Sequence, residues 1–281
     1  MTLFKFKRAA EDRPKIAIIA AQSSDYASAK DKMAFQDPER RPFNKYVVSP
    51  QFEAAVSAAG GMPLFIGYDA KWLEDAARFF DGFVITGADT GLPKEWYIDG
   101  EKSPHPATGR VDFERRLIDE FVKAGKPGIG ICHGSQVFAC HLTGAKMTAD
   151  IHAFNSSSTQ NIIHRHSDAP KPKLSHHNIQ INKSTISGHI LHMPRGVLRV
   201  NSHHNEGVVI PGSNLVVSAQ ADDGTVEMTE AKMDLPGGQQ SFYVGMQWHQ
   251  EFEGPRHPGY AIVRAFVQRA RDPDLAFEPA A

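Results

Sequence analysis

The chain has 281 residues and a formal net charge of −1, so no charge excess would draw it to nucleic acid or to an anionic membrane surface. Hydrophobic residues make up 41% and charged residues 22%, which is ordinary for a soluble globular protein. With only Cys132 and Cys140 present, a disulfide scaffold is not expected and a reduced, cytoplasmic setting is predicted. Neither a signal peptide nor a transmembrane segment is expected, because no apolar run has the required length or flanks.

Strands alternate with helices in the first half of the chain. Near-continuous apolar runs predict buried strands, and helical spacing of apolar residues predicts amphipathic helices. The predicted elements are a strand at 15–21, a helix at 46–59, strands at 62–66 and 82–86, and helices at 72–80 and 112–124. This alternation indicates an α/β fold with a mainly parallel sheet. The polar loops 22–44 and 90–111 are expected to carry residues that face a substrate.

A lone cysteine lies between two glycines directly after the apolar stretch 127–131. Gly130, Cys132 and Gly134 form a G-x-C-x-G pattern, which is typical of a nucleophile at a sharp strand-to-helix turn. The glycines allow the strand and helix to approach closely, and the helix N-terminus favours a thiolate. The backbone N–H of His133 would then face a forming oxyanion. A buried structural cysteine explains this stretch, taken alone, equally well.

A small-residue loop follows the predicted strand at 82–86. Ligands collect at the carboxyl ends of strands in open α/β sheets, and Gly87 or Ala88 could present a backbone N–H there to a negative oxygen. A simple tight turn explains this loop equally well.

The sequence changes character from about residue 145, after a helix expected to stop near Gly144. Residues 146–178 are polar and are predicted to form loops or a lid. Short strands are expected at 177–182, 196–200, 207–210, 215–219 and 225–228, a longer strand at 241–249, and a closing helix at 258–270. Asp223 and Gly224 form a turn signal between two of these strands. We predict antiparallel additions to the sheet within one domain, 1–281, whose core spans about 14–270.

His249 and Glu251 lie near the end of the predicted strand 241–249. Residues two apart on an extended segment point to the same side, so the carboxylate can orient the imidazole. A cysteine amidase needs a thiolate, a histidine paired with it and an acid that orients the histidine. A surface strand explains His-x-Glu alone, but its position after the Cys132 pattern favours catalysis.

The Gly-Ile-Cys-His-Gly-Ser-Gln stretch at Cys132 and the Gly-Met-Gln-Trp-His-Gln-Glu stretch at His249 carry a family resemblance. Together they resemble class I glutamine amidotransferase-like proteins, and most of all the γ-glutamyl-γ-aminobutyrate hydrolase family, C26-type cysteine peptidases. Segments 81–89, 200–204 and 221–227 match further family motifs, so the likeness covers most of the chain. The resemblance implies a three-layer, flavodoxin-like α/β fold.

The resemblance also implies an activity and the residues that carry it. Cys132, His249 and Glu251 would form a triad that hydrolyses a γ-glutamyl amide through a thioester, in amine or polyamine catabolism and without cofactor or metal. The backbones of His133 and of Gly87 or Ala88 would hold the oxyanion. The residues expected to bind the γ-glutamyl group are Gln136, Ser202, His203 and His204.

Four positions depart from the family pattern. The family has Arg where this chain has His133, Gly where it has Ala88, Gln where it has Asn205 and Pro where it has Gln250. None of these changes removes a triad residue. They bear on the amine half of the substrate, which the sequence does not identify.

Rival hypotheses concern a metal site and other functions for the same fold. The fourteen histidines suggest a metal site, but their spacings match no standard ligand pattern, so none is predicted. The histidines considered were His164, His166, His176, His177, His203 and His204. A glutaminase subunit that supplies ammonia to a separate synthetase is the alternative function, and a non-catalytic binding module is a third. The expected partner is a small γ-glutamyl substrate, with no nucleic acid and no membrane, and a homodimer is among the expected assemblies.

Overall fold

The computed structural model describes residues 12–22, 46–47, 49–98, 100–105, 107–158, 162–165 and 175–277. Nearly all of the predicted loop 22–44 and the candidate ligand His166 therefore lie outside the described residues. Within those residues, no helix combines the length and the apolar character needed to cross a membrane.

Strands and helices alternate up to α4, and strands dominate from there to β13. The strands of the described segments are β1 (Lys15–Ile19), β2 (Ala21–Gln22), β3 (Tyr46–Val47), β4 (Met62–Ile66), β5 (Gly82–Ile85), β6 (Gly128–Ile131), β7 (Lys146–Thr148), β8 (Ser175–Ile181), β9 (Val197–Ser202), β10 (Gly207–Ile210), β11 (Leu215–Ala221), β12 (Val226–Ala231) and β13 (Tyr243–Met246). The α-helices are α1 (Pro50–Ala58), α2 (Leu73–Phe79), α3 (Arg110–Lys123), α4 (His133–Thr143), α5 (Ile151–Phe154), α6 (Ile186–Leu191), α7 (Gln250–Glu253) and α8 (Tyr260–Arg271).

A nine-stranded sheet runs through the centre of the fold, in the order β4-β1-β5-β6-β13-β12-β11-β8-β9. The strands from β4 to β13 pair in parallel, and those from β13 to β9 pair in antiparallel. The predicted mainly parallel sheet with antiparallel additions in the C-terminal half is confirmed. The carboxyl ends of β5, β6 and β13 consequently meet at one edge.

Two apolar layers sandwich this sheet. Successive residues of a strand point to opposite faces, so Ile16 and Ile18 join one layer while Ala17 and Ile19 join the other. Helices α2, α3 and α4 contribute to the layer that holds Ala17, and α1, α6 and α8 to the opposite layer. These four side chains of β1 are fully buried, two on each face, which explains the continuous apolar run in its sequence.

The helix predicted at 46–59 is shorter than expected. Residues 46–47 instead form β3, which pairs with β2, and α1 begins at Pro50. Proline suits the first turn of a helix because its ring fixes φ and it has no N–H to leave unpaired. The same ring disfavours a helical conformation in the preceding residue, and Ser49 is extended, with φ −80° and ψ 119°.

The polar segment 146–178 is also more regular than predicted. It contains β7, the short helix α5 and the beginning of β8. The side chain of Asp150 caps α5 by accepting the N–H groups of His152 and Ala153, both at 3.0 Å. The β7 strand pairs with β10, which is distant in sequence, and no local sequence pattern predicts this pairing.

Candidate active site

Cys132 occupies the turn between β6 and α4. Its φ of 52° and ψ of −106° are strained for a residue with a side chain. Hydrogen bonds fix the strained backbone from both sides. The Cys132 N–H donates to Met246 O at 2.8 Å, and Cys132 O accepts from the Ser135 N–H at 3.0 Å and from Ser135 Oγ at 2.8 Å. This conformation presents the thiol at the sheet edge where β6 and β13 end.

The glycines on either side of the cysteine are required by packing. A Cβ on Gly130 would lie 2.4 Å from the carbonyl oxygen of Gly134. A Cβ on Gly134 would lie 2.3 Å from the carbonyl oxygen of Ile85, on β5. Any side chain at these positions would push α4 away from the sheet, so the G-x-C-x-G pattern reflects close contact between helix and strands.

His249 and Glu251 do meet, but not for the reason predicted. The β13 strand ends at Met246, and the chain then turns so that His249 precedes the short helix α7 and Glu251 lies in its first turn. The turn brings His249 Nδ1 to 2.7 Å from Glu251 Oε1. The prediction of an extended segment through His249 was therefore wrong, while the predicted pairing of the two side chains is present.

The other side of the imidazole faces the cysteine. Burial alone would lower the pKa of His249, but the Glu251 carboxylate and a hydrogen bond with the Cys132 sulfur hold that pKa well above its usual value. The Gln247 amide nitrogen also lies 3.7 Å from Cys132 Sγ. A thiolate paired with an imidazolium is the arrangement from which a cysteine nucleophile attacks a carbonyl.

Asn201 fixes the backbone of His249 in place, which sequence reasoning missed. Its Oδ1 accepts the His249 N–H at 3.0 Å and its Nδ2 donates to His249 O at 2.8 Å. The same Nδ2 donates to Glu253 Oε1 at 2.7 Å. Asn201 lies in the 200–204 segment that carries the family resemblance, but substrate binding is predicted there only for Ser202, His203 and His204, and no role is predicted for Asn201.

The predicted oxyanion residues border the thiol. A Cβ on Gly87 would lie 3.1 Å from His249 Cε1 and 3.6 Å from Cys132 Cβ, so the Gly87 backbone lies against both side chains. Ala88 follows in the same partly exposed loop. His133 begins α4, where the first N–H groups have no partner within the helix. These two backbone segments thus lie on two sides of the thiol, and their role toward an oxyanion stays a prediction.

A buried charged network lies beneath these two backbone segments. The His133 side chain turns away from the thiol, and its Nε2 lies 2.8 Å from Glu114 Oε2. Arg110 Nε donates to Glu114 Oε1 at 2.6 Å, and Arg110 Nη2 donates to the carbonyl oxygen of Thr86 at 2.8 Å. Arg110 and Glu114 are fully buried. The network therefore links the loop that contains Gly87 to the helix that begins after Cys132.

The four residues expected to bind a γ-glutamyl group have different surroundings. Gln136 Nε2 donates to Glu206 O and Gln247 Oε1, and Ser202 Oγ contacts a histidine ring, so both side chains are engaged within the protein. His204 is buried against Glu227. Of these four residues, His203 is the one whose pKa responds to His249. Burial lowers the pKa of His203 most, and the positive charges of Arg165 and then of His249 lower it further. Their substrate contacts stay predictions.

Charged side chains of both signs lie around His203. Arg165 Nη1 is 3.7 Å from Asp89 Oδ1, and His105 Nε2 is 3.9 Å from the same carboxylate and 4.0 Å from Glu206 Oε2. Burial raises the pKa of Glu206. Asp89 ends the 81–89 segment that matches a family motif, but no role was predicted for its carboxylate, and no motif marks Arg165, His105 or Glu206.

The family model of peptidase C26 matches residues 27–251. The chain belongs to the peptidase C26 family. Its relatives include the glutamine amidotransferase-like protein RP404 of Rickettsia prowazekii, 24% identical over 93% of this chain and 99% of that protein. The glutamine amidotransferase PB2B2.05 of Schizosaccharomyces pombe is 27% identical over 79% of this chain and 82% of its own. The resemblance deduced from the Cys132 and His249 stretches is confirmed at the level of the family and its superfamily.

Solved structures agree on the fold of this C26 peptidase. A GMP synthase-like protein of Thermoplasma acidophilum superposes with a TM-score of 0.54 at 15% identity, covering 92% of this chain and 94% of that one. The glutaminase domain of Trypanosoma brucei CTPS, solved with bound acivicin, gives 0.52 at 18% identity, covering 95% and 97%. At these identities the likeness shows the glutamine amidotransferase fold alone. General amide-hydrolase chemistry follows from family membership.

Changing Glu251 to Gln tests the orientation of the imidazole. The amide cannot stabilise the imidazolium, so we expect kcat/KM to fall by about 10²–10⁴-fold. The thiolate–imidazolium pair is lost as pH rises through the pKa of His249. Because Glu251 raises that pKa, its removal should move the alkaline limb of the pH profile of kcat/KM to lower pH.

The matched control is Glu253→Gln, on the same helix. Its carboxylate contacts Asn201 rather than the imidazole. The alkaline limb of the kcat/KM profile of Glu253→Gln should therefore lie at the same pH as that of the wild type. An alkaline limb that Glu251→Gln leaves unshifted would contradict the orienting role of Glu251.

Proposed function

We propose that this protein hydrolyses the γ-glutamyl amide bond of a small γ-glutamyl-amine, such as γ-glutamyl-γ-aminobutyrate, with Cys132, His249 and Glu251 as its triad. One observation carries the proposal. The strained cysteine at the turn and the His249 imidazole both lie against Gly87, and Nδ1 of that imidazole is 2.7 Å from an oxygen of the Glu251 carboxylate. Membership of the peptidase C26 family supports the same assignment.

In the first half of the reaction, the Cys132 thiolate attacks the γ-carbonyl carbon. The carbonyl oxygen becomes an oxyanion, and the backbone N–H groups of Gly87 or Ala88 and of His133 stabilise it. The His249 imidazolium then gives its Nε2 proton to the amine nitrogen, the C–N bond breaks, and a γ-glutamyl thioester remains on the sulfur. The amine leaves with the proton.

In the second half, neutral His249 accepts a proton from water as the water oxygen attacks the thioester carbon. The C–S bond breaks and releases glutamate, and the thiolate–imidazolium pair returns. Glu251 holds the imidazole in the tautomer that both halves need. No cofactor takes part in either step.

The charged groups around His203 support a γ-glutamyl substrate over a simple amide. The glutamyl head carries an α-carboxylate and an α-ammonium group, and recognition of both requires a cation and an anion close together. Arg165 supplies the cation, and Asp89 and Glu206 supply carboxylates. We place the activity in the cytoplasm, in the breakdown of amines or polyamines, with a homodimer as the proposed assembly.

A panel of γ-glutamyl amides tests this function. The amine halves should include γ-aminobutyrate, a polyamine, an alkylamine and a folate-like amine, with glutamine as the member that reports a glutaminase. We expect release of glutamate and free amine from at least one substituted amide. The α-glutamyl isomers are the control and should stay intact, because their scissile carbonyl lies beside the charged α-carbon.

Two other outcomes would contradict the proposal. Turnover of glutamine alone would favour a glutaminase that serves a separate synthetase. A panel left wholly intact, together with failure of a diazo-ketone glutamine analogue to modify the protein, would favour a non-catalytic binding module.

A further inference from the structure

Three histidines from separate segments converge on the carboxylate of Glu227, on β12. The distances to Glu227 Oε1 are 3.3 Å from His164 Nδ1, 3.2 Å from His177 Nε2 and 3.4 Å from His204 Nε2. All four side chains are buried. Sequence spacing predicted no metal site, because the four residues come from a loop, from β8, from the loop after β9 and from β12.

The outer nitrogen of each ring faces an oxygen that can only accept a hydrogen bond. The ring must therefore donate from that nitrogen, which leaves the inner nitrogen of a neutral imidazole with a lone pair. The three contacts are His164 Nε2 to Asp223 Oδ2 at 3.0 Å, His177 Nδ1 to Asn178 O at 3.2 Å and His204 Nδ1 to Glu206 O at 3.1 Å.

The inner atoms consequently repel one another unless a cation lies among them. Over the described part of the chain, His177 Nε2, His204 Nε2 and both oxygens of Glu227 make no hydrogen bond of acceptable geometry. Buried polar atoms are nearly always paired, and an uncompensated buried carboxylate is costly. The facing atoms of His164, His177 and Glu227 all lie within 4.8 Å of one another, so two lone pairs and a carboxylate form a donor set for a metal ion.

We propose that His164, His177 and Glu227 bind one divalent transition-metal ion of the zinc class, while His204 Nε2 lies beside them, 3.4 Å from the same carboxylate. A tetrahedral Zn²⁺ with bonds of about 2.0–2.1 Å separates its ligand atoms by about 3.3–3.4 Å. The distances from Glu227 Oε1 to His177 Nε2, 3.2 Å, and to His164 Nδ1, 3.3 Å, are close to that separation. Imidazoles together with a carboxylate suit Zn²⁺ far better than Mg²⁺ or Ca²⁺, which prefer oxygen ligands alone.

The partners of the outer nitrogens fit the same assignment. Ligating histidines almost always donate their second N–H to a carboxylate or a backbone carbonyl, which fixes the tautomer and the ring orientation. Here Asp223 takes that place for His164, and Thr225 Oγ1 lies 3.3 Å from the same nitrogen. Asp223 in turn accepts the Thr225 N–H at 3.0 Å, so the turn between β11 and β12 holds the first ligand in position.

The ion would act on structure rather than on the reacting atoms. His204 directly follows His203, and the next residues lead to Glu206, whose carbonyl oxygen accepts from Gln136 at 3.0 Å. A metal held by His164, His177 and Glu227 would therefore tie the loop that contains His164 to β8 and β12, next to the loop that carries His203. This role is independent of the proposed hydrolysis.

Metal analysis of the full-length protein tests the site. We expect about one zinc per chain after purification or after titration of chelator-treated protein with Zn²⁺, and a lower melting temperature once the metal is removed. His177→Asn should lose the metal. The matched control is His176→Asn, which should keep the metal. His176 directly precedes His177 on β8, so its side chain points to the other face of the strand, and it is exposed.

Two measurements decide whether a bound metal ion or protonated histidines neutralise the Glu227 carboxylate. X-ray absorption at the zinc edge of the wild type should show imidazole nitrogens together with oxygen ligands at about 2.0–2.1 Å. Wild-type protein that takes up no zinc on titration would overturn the proposal, as would equal zinc content in the two histidine variants. If His177→Asn fails to fold, the absorption spectrum of the wild type decides the matter alone, because a site without imidazole scattering is not this one.

Discussion

Replacing Cys132 with alanine is expected to lower kcat/KM for γ-glutamyl amides by at least about four orders of magnitude. The thioester cannot form without the sulfur, and the second cysteine cannot substitute for it. Cys140 lies on α4, is buried, and burial raises its pKa far above the usual thiol value. The measurement is steady-state release of amine from whichever γ-glutamyl amide the panel identifies.

Cys140→Ala is the matched control and should keep wild-type turnover. A diazo-ketone glutamine analogue gives a second readout by intact mass. It should add one label to the wild type and to Cys140→Ala, and none to Cys132→Ala. Full turnover in Cys132→Ala would refute the mechanism, and labelling of that variant would show that another nucleophile reacts.

The nucleophile turn was predictable because its constraints are local. Gly130 and Gly134 are each dictated by an approach shorter than 2.5 Å to a backbone oxygen, and such approaches leave a clear mark in the sequence. The sheet was predictable for a similar reason, since strands buried on both faces are continuous in apolar residues. The pairing of His249 with Glu251 was also predicted, although a helical turn produces it rather than an extended strand.

Features that depend on strand order were not predictable. His164, His177 and His204 meet Glu227 only because β12, β11, β8 and β9 are neighbours in the sheet, and no single stretch of sequence records that order. Arg110 and Glu114 show a different limit. Opposite charges four residues apart are usually a solvated pair on a helix surface, and only the tertiary structure shows that this pair is fully buried.

Changing Glu114 to Gln should produce the largest loss of stability among single substitutions of the charged network. Both of its oxygens are engaged, by Arg110 Nε at 2.6 Å and by His133 Nε2 at 2.8 Å. The variant leaves the fully buried Arg110 without a counter-charge, so the free energy of unfolding should fall by about 3–5 kcal/mol. Urea denaturation at neutral pH measures this change. Glu120→Gln, partly exposed on the same helix and 3.8 Å from Lys123, is the control and should cost under about 0.5 kcal/mol.

The pH dependence of that loss follows from the pKa of Glu114. Burial alone would raise this pKa, but Arg110 and His133 together hold it below its usual value. A carboxyl with a lowered pKa stabilises the fold above its unfolded value, about 4.3, and that contribution disappears as pH falls through the lower folded value. The difference in unfolding free energy between wild type and Glu114→Gln should therefore be largest at neutral pH and become smaller in acid. A difference that stays constant into acid would mean that the charge of Glu114 is not what stabilises the fold.

The double variant Arg110→Met with Glu114→Met separates stability from positioning. Replacing a buried ion pair by apolar side chains of similar volume is often neutral or stabilising, so most of the lost unfolding free energy should return. The turnover number should stay low, because Arg110 no longer holds the carbonyl oxygen of Thr86, which it contacts at 2.8 Å, and the adjacent Gly87 N–H loses its fixed position. KM should change little, since no substrate contact is removed. If both the unfolding free energy and kcat recover, the network supports the fold alone. If the unfolding free energy recovers but kcat stays low, Arg110 and Glu114 are positioning residues for the oxyanion donors.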